Sequence, residues 1–342
     1  MPQIKTSITR LLNIPVPIIL APMGFAGRGE LASAVTGAGG FGFIGAEFMS
    51  SHDLKQNLKL ARKNLSLKED DPIPVGVGLI GWILDITEIS DDPRITAILE
   101  EKPAAVWFAF GTDLGRYIAQ VREYDSKRKH KTLVFAMVHS VEDAIQAANE
   151  WKVDVIVVEG IEAGGHGGSE APPLLTLLQA VIHAIPARPP IVAAGGISTG
   201  QQIAALLTAG AEGVALGTRF LFTHECVYTP DQKEAIKKAE LVNSTVRTLA
   251  FDEVGRTNGW PPKHDGRALR NNIIQDVEDG LSFEERLKKF DESKEAKDTS
   301  RLIVWAGVGV GLTSSISYAK DVIRNLQDDT INALKKARQI LE

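Results

Sequence analysis

Residues 157–170 read VVEGIEAGGHGGSE, which sets one imidazole, His166, among glycines directly after an apolar run. A neutral imidazole can take up a proton near physiological pH, and flanking glycines leave the backbone open to a close ligand. Two more glycine-bearing turns stand further along. AAGGIST (193–199) and ALGTRF (215–220) offer Gly195, Gly196 and Gly217, where backbone N–H groups can meet an anion, and Thr218 adds a hydroxyl. Near the N-terminus, LAPMG (20–24) supplies Met23 and Gly24, a soft side chain and bare backbone suited to the face of a flat ring. A phosphate grip beside an apolar, glycine-lined wall fits a mononucleotide such as FMN. The plainer alternatives are ordinary strand-to-helix turns and a histidine bonded to a loop carbonyl. Position in the fold has to separate them.

Other chemistries lack their parts. GAGGFG (37–42) matches a dinucleotide fingerprint but follows a helix pattern and precedes a strand, the reverse of the required order. No Walker A run, zinc spacing or G-x-S-x-G elbow occurs, so no metal is expected. Cys226 lies beyond the last strand pattern and outside any glycine turn, which argues against a thiol nucleophile. Of the remaining histidines, His139 ends a strand pattern and could face the site or cap a turn. His264, in WPPKHDGR, could belong to a substrate-covering loop.

The elements that would position these residues can be counted. Short apolar runs at 17–21, 42–46, 75–79, 105–110, 133–138, 155–159, 190–194 and 213–217 lack polar alternation, as parallel strands covered on both faces do. Amphipathic stretches lie between most of them. Ser51 and Ser140 read as helix N-caps, and Gly39 and Gly210 as helix ends. Eight such runs predict an α/β fold, a (β/α)8 TIM barrel, and in that fold the active site lies at the C-terminal ends of the strands. His166 follows the sixth run, and the two glycine turns follow the seventh and eighth, where a barrel holds phosphate. The rhythm stops after residue 222. The expected division is a barrel over 1–222, a smaller, mostly helical, substrate-covering subdomain over 223–300, and a segment over 301–342 that returns to the barrel.

The totals exclude several partners. The chain has 342 residues, 44% hydrophobic and 24% charged, enough for a large core, and its net charge of −5 disfavours nucleic acid and anionic membrane as partners. A single cysteine precludes an internal disulfide and suits a reducing compartment. No apolar run approaches the roughly 18 residues of a membrane span, and neither end reads as a targeting signal. A cytoplasmic enzyme, monomeric or homodimeric, acting on a small molecule is the expectation.

Together, APMGFAGRGELASAVTGAGGFGFIGA, VEGIEAGGHGG, AAGGISTGQQIAALLTAGAEGVALGTRFLFTHE and DGRALRN resemble the nitronate monooxygenase family, formerly called 2-nitropropane dioxygenase, in the same order over nearly the whole chain. The resemblance implies FMN at the barrel mouth and oxidation of alkyl nitronates by O2 to a carbonyl compound and nitrite. His166 would be the base, or the group that orients the nitronate. Flavin contacts carry over to Pro22, Met23, Gly24, Gly78, Glu159, Gly164, Gly165, Gly195, Gly196, Ala215, Leu216, Gly217 and Thr218. The tail VWAGVGVGL (304–312) looks like the family's flavin-closing segment, with Trp305 and Gly307 as contacts; the alternative for Trp305 is a core position in the last helix. Two residues depart from the commonest pattern: Gly78 stands where many relatives have asparagine, and Glu159 where many have glutamine. A carboxylate there would disfavour an anionic reduced flavin unless it is protonated or paired. The alternative activity is an FMN-dependent NAD(P)H:quinone or enoyl-thioester reductase on the same barrel, since those enzymes share much of the pattern.

Overall fold

The computed structural model describes residues 3–241 and 244–340. Strands β1 (Ile18–Leu20), β2 (Phe41–Gly45), β3 (Ile73–Ile80), β4 (Pro103–Ala109), β5 (Leu133–Val138) and β6 (Val155–Glu159) pair in parallel, each with the next. The next strand, β7 (Gly165–Gly168), leaves the sheet, and β8 (Ile191–Ala194) and β9 (Gly213–Leu216) complete it. Pairing of Ile18 with Val214 and Ile19 with Ala215 joins β9 to β1, so the barrel is closed. It is a (β/α)8 TIM barrel, and its strands fall within a residue or two of the apolar runs.

Both faces of the strands are buried, which is why they carry no polar alternation. Ile19, Phe41, Phe43, Trp107, Phe135, Val155 and Val157 fill the interior. Phe43 sets its ring edge-on to Trp107 and to Phe135, each at 5.2 Å. A Cβ on Gly76 would lie 2.2 Å from the Phe43 ring, so glycine in β3 is the space that this aromatic occupies. The helix Ser7–Leu11 plugs the interior at the N-terminal ends, where Ile8 meets Gly213 at the start of β9.

Helix boundaries follow local chemistry. Ser140 caps Val141–Asn149 by accepting from the Asp143 N–H, and Thr199 forms a reciprocal box with Gln202 at Gly200–Thr208. Gly39 and Gly210 end helices with φ of +98° and +102°, in the left-handed region glycine tolerates. One cap differs from the sequence expectation. Ser50, not Ser51, caps Ser51–Asn64, and the Ser51 N–H donates instead to the Asp92 carboxylate.

After β9 the chain runs over the barrel mouth. Helices Pro230–Lys238, Ala250–Gly255, Asn272–Glu278 and Phe283–Glu295 surround two strands, β10 (Thr245–Thr248) and β11 (His264–Leu269). Phe251, Val254, Ala268, Ile273 and Ile274 give this region its own apolar core. Within the region expected to be mostly helical, the stretch 251–272 is a helix, a connection and a strand. β11 pairs antiparallel with both β10 and β7, placing Gly266 opposite His166. The last helix, Ala319–Gln339, packs outside the barrel against Gly29–Gly37 and Gly200–Thr208, in the place of the eighth outer helix. Everything between Phe222 and Tyr318 is thus inserted between the eighth barrel strand and its helix. No helix of the described residues is long and apolar enough to cross a membrane.

Candidate active site

A cavity of about 190 Å³ opens at the C-terminal ends of the strands; His166 and the residues singled out in the sequence as ligand contacts border it, except Gly307, which lies behind the wall with its N–H bonded to Thr218. Its glycines serve different ends. A Cβ on Gly78 would lie 2.2 Å from Pro22, one on Gly24 would overlap the Glu47 carboxyl, and one on Gly164 would sit 2.1 Å from the Gly307 nitrogen. At Gly78 and Gly164 protein packing already requires glycine, whereas at Gly24 the neighbour is the movable end of the Glu47 side chain. Gly165 and Gly217 differ: a Cβ on Gly165 would touch nothing within 4 Å, and one on Gly217 would meet only the Met23 side chain, 3.3 Å away at its sulfur. Space is left there for something other than protein. Gly195 and Gly196, at φ of +112° and +68°, turn the backbone after β8, and the Gly196 carbonyl accepts from Gln202 Nε2 at 3.0 Å. Thr218 Oγ1 accepts the Gly307 N–H at 2.9 Å, which leaves its own proton to donate. Trp305 is not in the last helix. It lies in an extended segment bridged to Ala268, with its carbonyl accepting from Tyr228 Oη at 3.0 Å.

His166 is fixed from three sides. Strand β7 carries it, β11 pairs with that strand, and the Trp260 ring stacks on the imidazole at 3.4 Å and 7°. Trp305 leans against it at 4.6 Å. Its Nε2 lies 2.8 Å from Oδ1 of Asp252, a carboxylate only 1% exposed. The same Oδ1 accepts from Thr257 Oγ1 at 2.7 Å and from Trp260 Nε1 at 3.0 Å. A carboxylate oxygen with three such neighbours is an acceptor, so His166 Nε2 bears the hydrogen and Nδ1 is the nitrogen left to take a proton. Asp252 Oδ2 is buried and has no partner among the described residues.

The chain as a whole is similar to known proteins. A family model described as nitronate monooxygenase covers residues 5–329. The nitronate monooxygenase of Neurospora crassa is 33% identical over 342 aligned residues, covering 93% of this chain and 90% of that protein. The chain belongs to the nitronate monooxygenase family. Among solved structures, FabK from Thermotoga maritima superposes with a TM-score of 0.78 at 30% identity, covering 98% of this chain and 99% of that one. Nitroalkane oxidase from Streptomyces ansochromogenes does so with 0.76 at 26%, covering 98% and 100%. As a family member the protein is an oxidoreductase, and its cofactor class is a flavin.

Two carboxyl groups, Glu159 and Glu47, line the cavity of this nitronate monooxygenase family member. Glu159, at the end of β6, has its Oε1 3.1 Å from His139 Nε2, so the unusual glutamate is paired. His139 packs beside Phe110 and His264, and burial, with His139 adding to it, pushes the His264 imidazole below its ordinary value. Glu47 lies beneath Gly24. Desolvation raises its carboxyl from 4.5 to about 8, although the Arg28 guanidinium and a bond from the Phe25 backbone oppose the shift. Cys226 is buried, and desolvation raises its thiol, which leaves it unreactive.

Sequence reasoning missed Asp252, Thr257, Trp260 and Glu47. Asp252 stands 86 residues from His166 and shares no motif with it. The one available signal was the density of polar and aromatic residues in FDEVGRTNGW, directly ahead of His264.

Proposed function

We propose that the protein is an FMN-dependent nitronate monooxygenase that converts alkyl nitronates and O2 to a carbonyl compound and nitrite. The observation that carries this reading is the His166–Asp252 pair on a cavity whose glycines at 165 and 217 leave room that protein packing does not use. Gly195, Gly196, Gly217 and Thr218 fit a phosphate, with turned backbone and one free hydroxyl proton. Pro22, Met23, Gly24, Gly78, Glu159, Gly164, Ala215, Leu216 and Trp305 fit the walls of a flat ring. Bound there, FMN supplies the electron acceptor that passes electrons from substrate to oxygen.

The protein's own part is proton handling and positioning. Nδ1 of His166 takes the α-proton of a neutral nitroalkane, or in the protonated state donates to a nitronate oxygen. Asp252 holds the Nε2–H tautomer and faces the imidazolium once it forms. Trp260 and Trp305 keep the ring in place and water away from it. Residues 1–222 form the FMN-binding barrel in this reading, 223–300 cover the substrate, and 301–342 return to the barrel.

The deciding assay is aerobic nitrite release from a primary alkyl nitronate by the purified protein, with NADH consumption followed in parallel. Nitrite without NADH supports the proposal. NADH oxidation coupled to a quinone or an enoyl thioester, without nitrite, assigns the protein to the reductases instead.

A further inference from the structure

Glu159 borders the same cavity as His166 but belongs to a separate network. Among the described residues its only hydrogen-bond partner is His139, at 3.1 Å, and both side chains are about nine-tenths buried. The His139 ring lies nearly parallel to Phe110 at 5.9 Å and edge-on to His264 at 5.3 Å, while its backbone N–H donates to Asp143. Strand β7 passes close over the carboxyl, since a Cβ on Gly167 would lie 2.6 Å from Glu159 Oε1. Arg247 reaches the Gly167 carbonyl, but its charge is matched by Asp265 at 2.7 Å. The charge on Glu159 is therefore answered by His139.

We propose that His139 and Glu159 form a charge-setting couple that governs how tightly the protein holds reduced relative to oxidised FMN. The inference rests on the FMN reading above. A flavin that has gained two electrons readily gives up its N1 proton and carries negative charge, which an unprotonated Glu159–His139 pair, bearing one net negative charge, opposes. A proton taken from solvent onto His139 makes the pair neutral and removes that opposition. In balance, two electrons and one proton go to the flavin and a second proton goes to His139. Glu159 faces the cofactor, and His139, acting through it, is a positioning residue. His264, Asp143 and the Arg247–Asp265 pair are the other titratable or charged groups packed around the couple, and they stay unchanged in the test.

The test compares the purified holoenzyme with Glu159→Gln and His139→Gln. Each is reduced by dithionite anaerobically beside a reference dye, and the ratio of reduced-FMN to oxidised-FMN affinity is read from pH 6 to pH 9. Glu159→Gln should favour reduced FMN by roughly tenfold or more at the alkaline end and flatten the pH dependence. His139→Gln strands the carboxylate, so it should shift the ratio the opposite way, also with a flattened profile. Shifts of the same sign in both variants, or a pH profile like that of the native protein in either, overturn the couple and leave a structural contact. A yellow holoenzyme with unshifted ratios overturns this inference alone. A protein that binds no flavin overturns the FMN reading together with it.

Discussion

Replacing Asp252 by asparagine changes the charge beside His166 while keeping the shape of the site. The amide oxygen can still accept from Thr257 and Trp260, the two bonds that meet at Oδ1 with that of His166. What disappears is the negative charge facing the imidazolium that forms when His166 takes a proton from a nitroalkane. Opposite unit charges about 4 Å apart attract by about 4 kcal/mol at an effective dielectric constant of 20, a factor of roughly 10³. Only part of the proton has moved in the transition state, so kcat/KM for nitroethane should fall by about 10² to 10³. Ethyl nitronate has already lost that proton, and its kcat/KM should fall less than about tenfold, chiefly through KM. The assay is nitrite release with each substrate, normalised to flavin absorbance, with His166→Asn as the floor. Equal losses on both substrates would refute the argument and make Asp252 a structural residue. Undiminished turnover of nitroethane would show that His166 works without it.

Three further outcomes follow from the same geometry. Gly217→Asp should yield a folded, colourless protein, because its Cβ meets only the flexible Met23 side chain while its carboxylate repels a phosphate; circular dichroism and absorbance at the flavin band check both halves. Trp260→Phe keeps a ring to stack on His166 but loses the bond to Asp252, so nitroalkane turnover should drop about fivefold, as for one net hydrogen bond of roughly 1 kcal/mol. The raised carboxyl of Glu47 makes the folded apoprotein bind a proton more tightly than the unfolded chain, so this contribution to stability is complete below 4.5 and is lost as pH rises to about 8. Urea midpoints of the native apoprotein should therefore decline relative to Glu47→Gln over that window and run parallel above it; parallel curves throughout would remove desolvation as the cause.

The eight barrel strands were legible because burial on both faces imposes one rule, apolar residues without alternation, and each run obeys it locally. The two glycine turns were legible for a related reason: the fold fixes their place after the seventh and eighth barrel strands, where the structure has them. Strand β7 was not. Its sequence, Gly165–Gly168, has almost no side chains to express a strand preference, and only pairing with β11 makes it one. Asp252 was hidden by distance along the chain, since a buried carboxylate beside a histidine is a tertiary event with no sequence period. The cap at Ser50 shows the smaller limit: two adjacent serines satisfy the same local rule, and Asp92 decides between them.

The inserted region begins and ends at one place. Thr223 and Ser317 form a parallel bridge, the Ser317 N–H donates to the Phe222 carbonyl, and the His224 N–H donates to the Ser317 carbonyl. A segment of this length with its two ends side by side makes little geometric demand on its host. It behaves as a cassette. The barrel with its two glycine turns can persist while the cassette, which brings Asp252, Trp260 and Trp305 to His166, is exchanged for another. The chemistry of this scaffold can thus diversify by replacement of one contiguous piece of chain, which would change one wall of the cavity, at Trp305, and leave the glycine turns after β8 and β9 in the barrel.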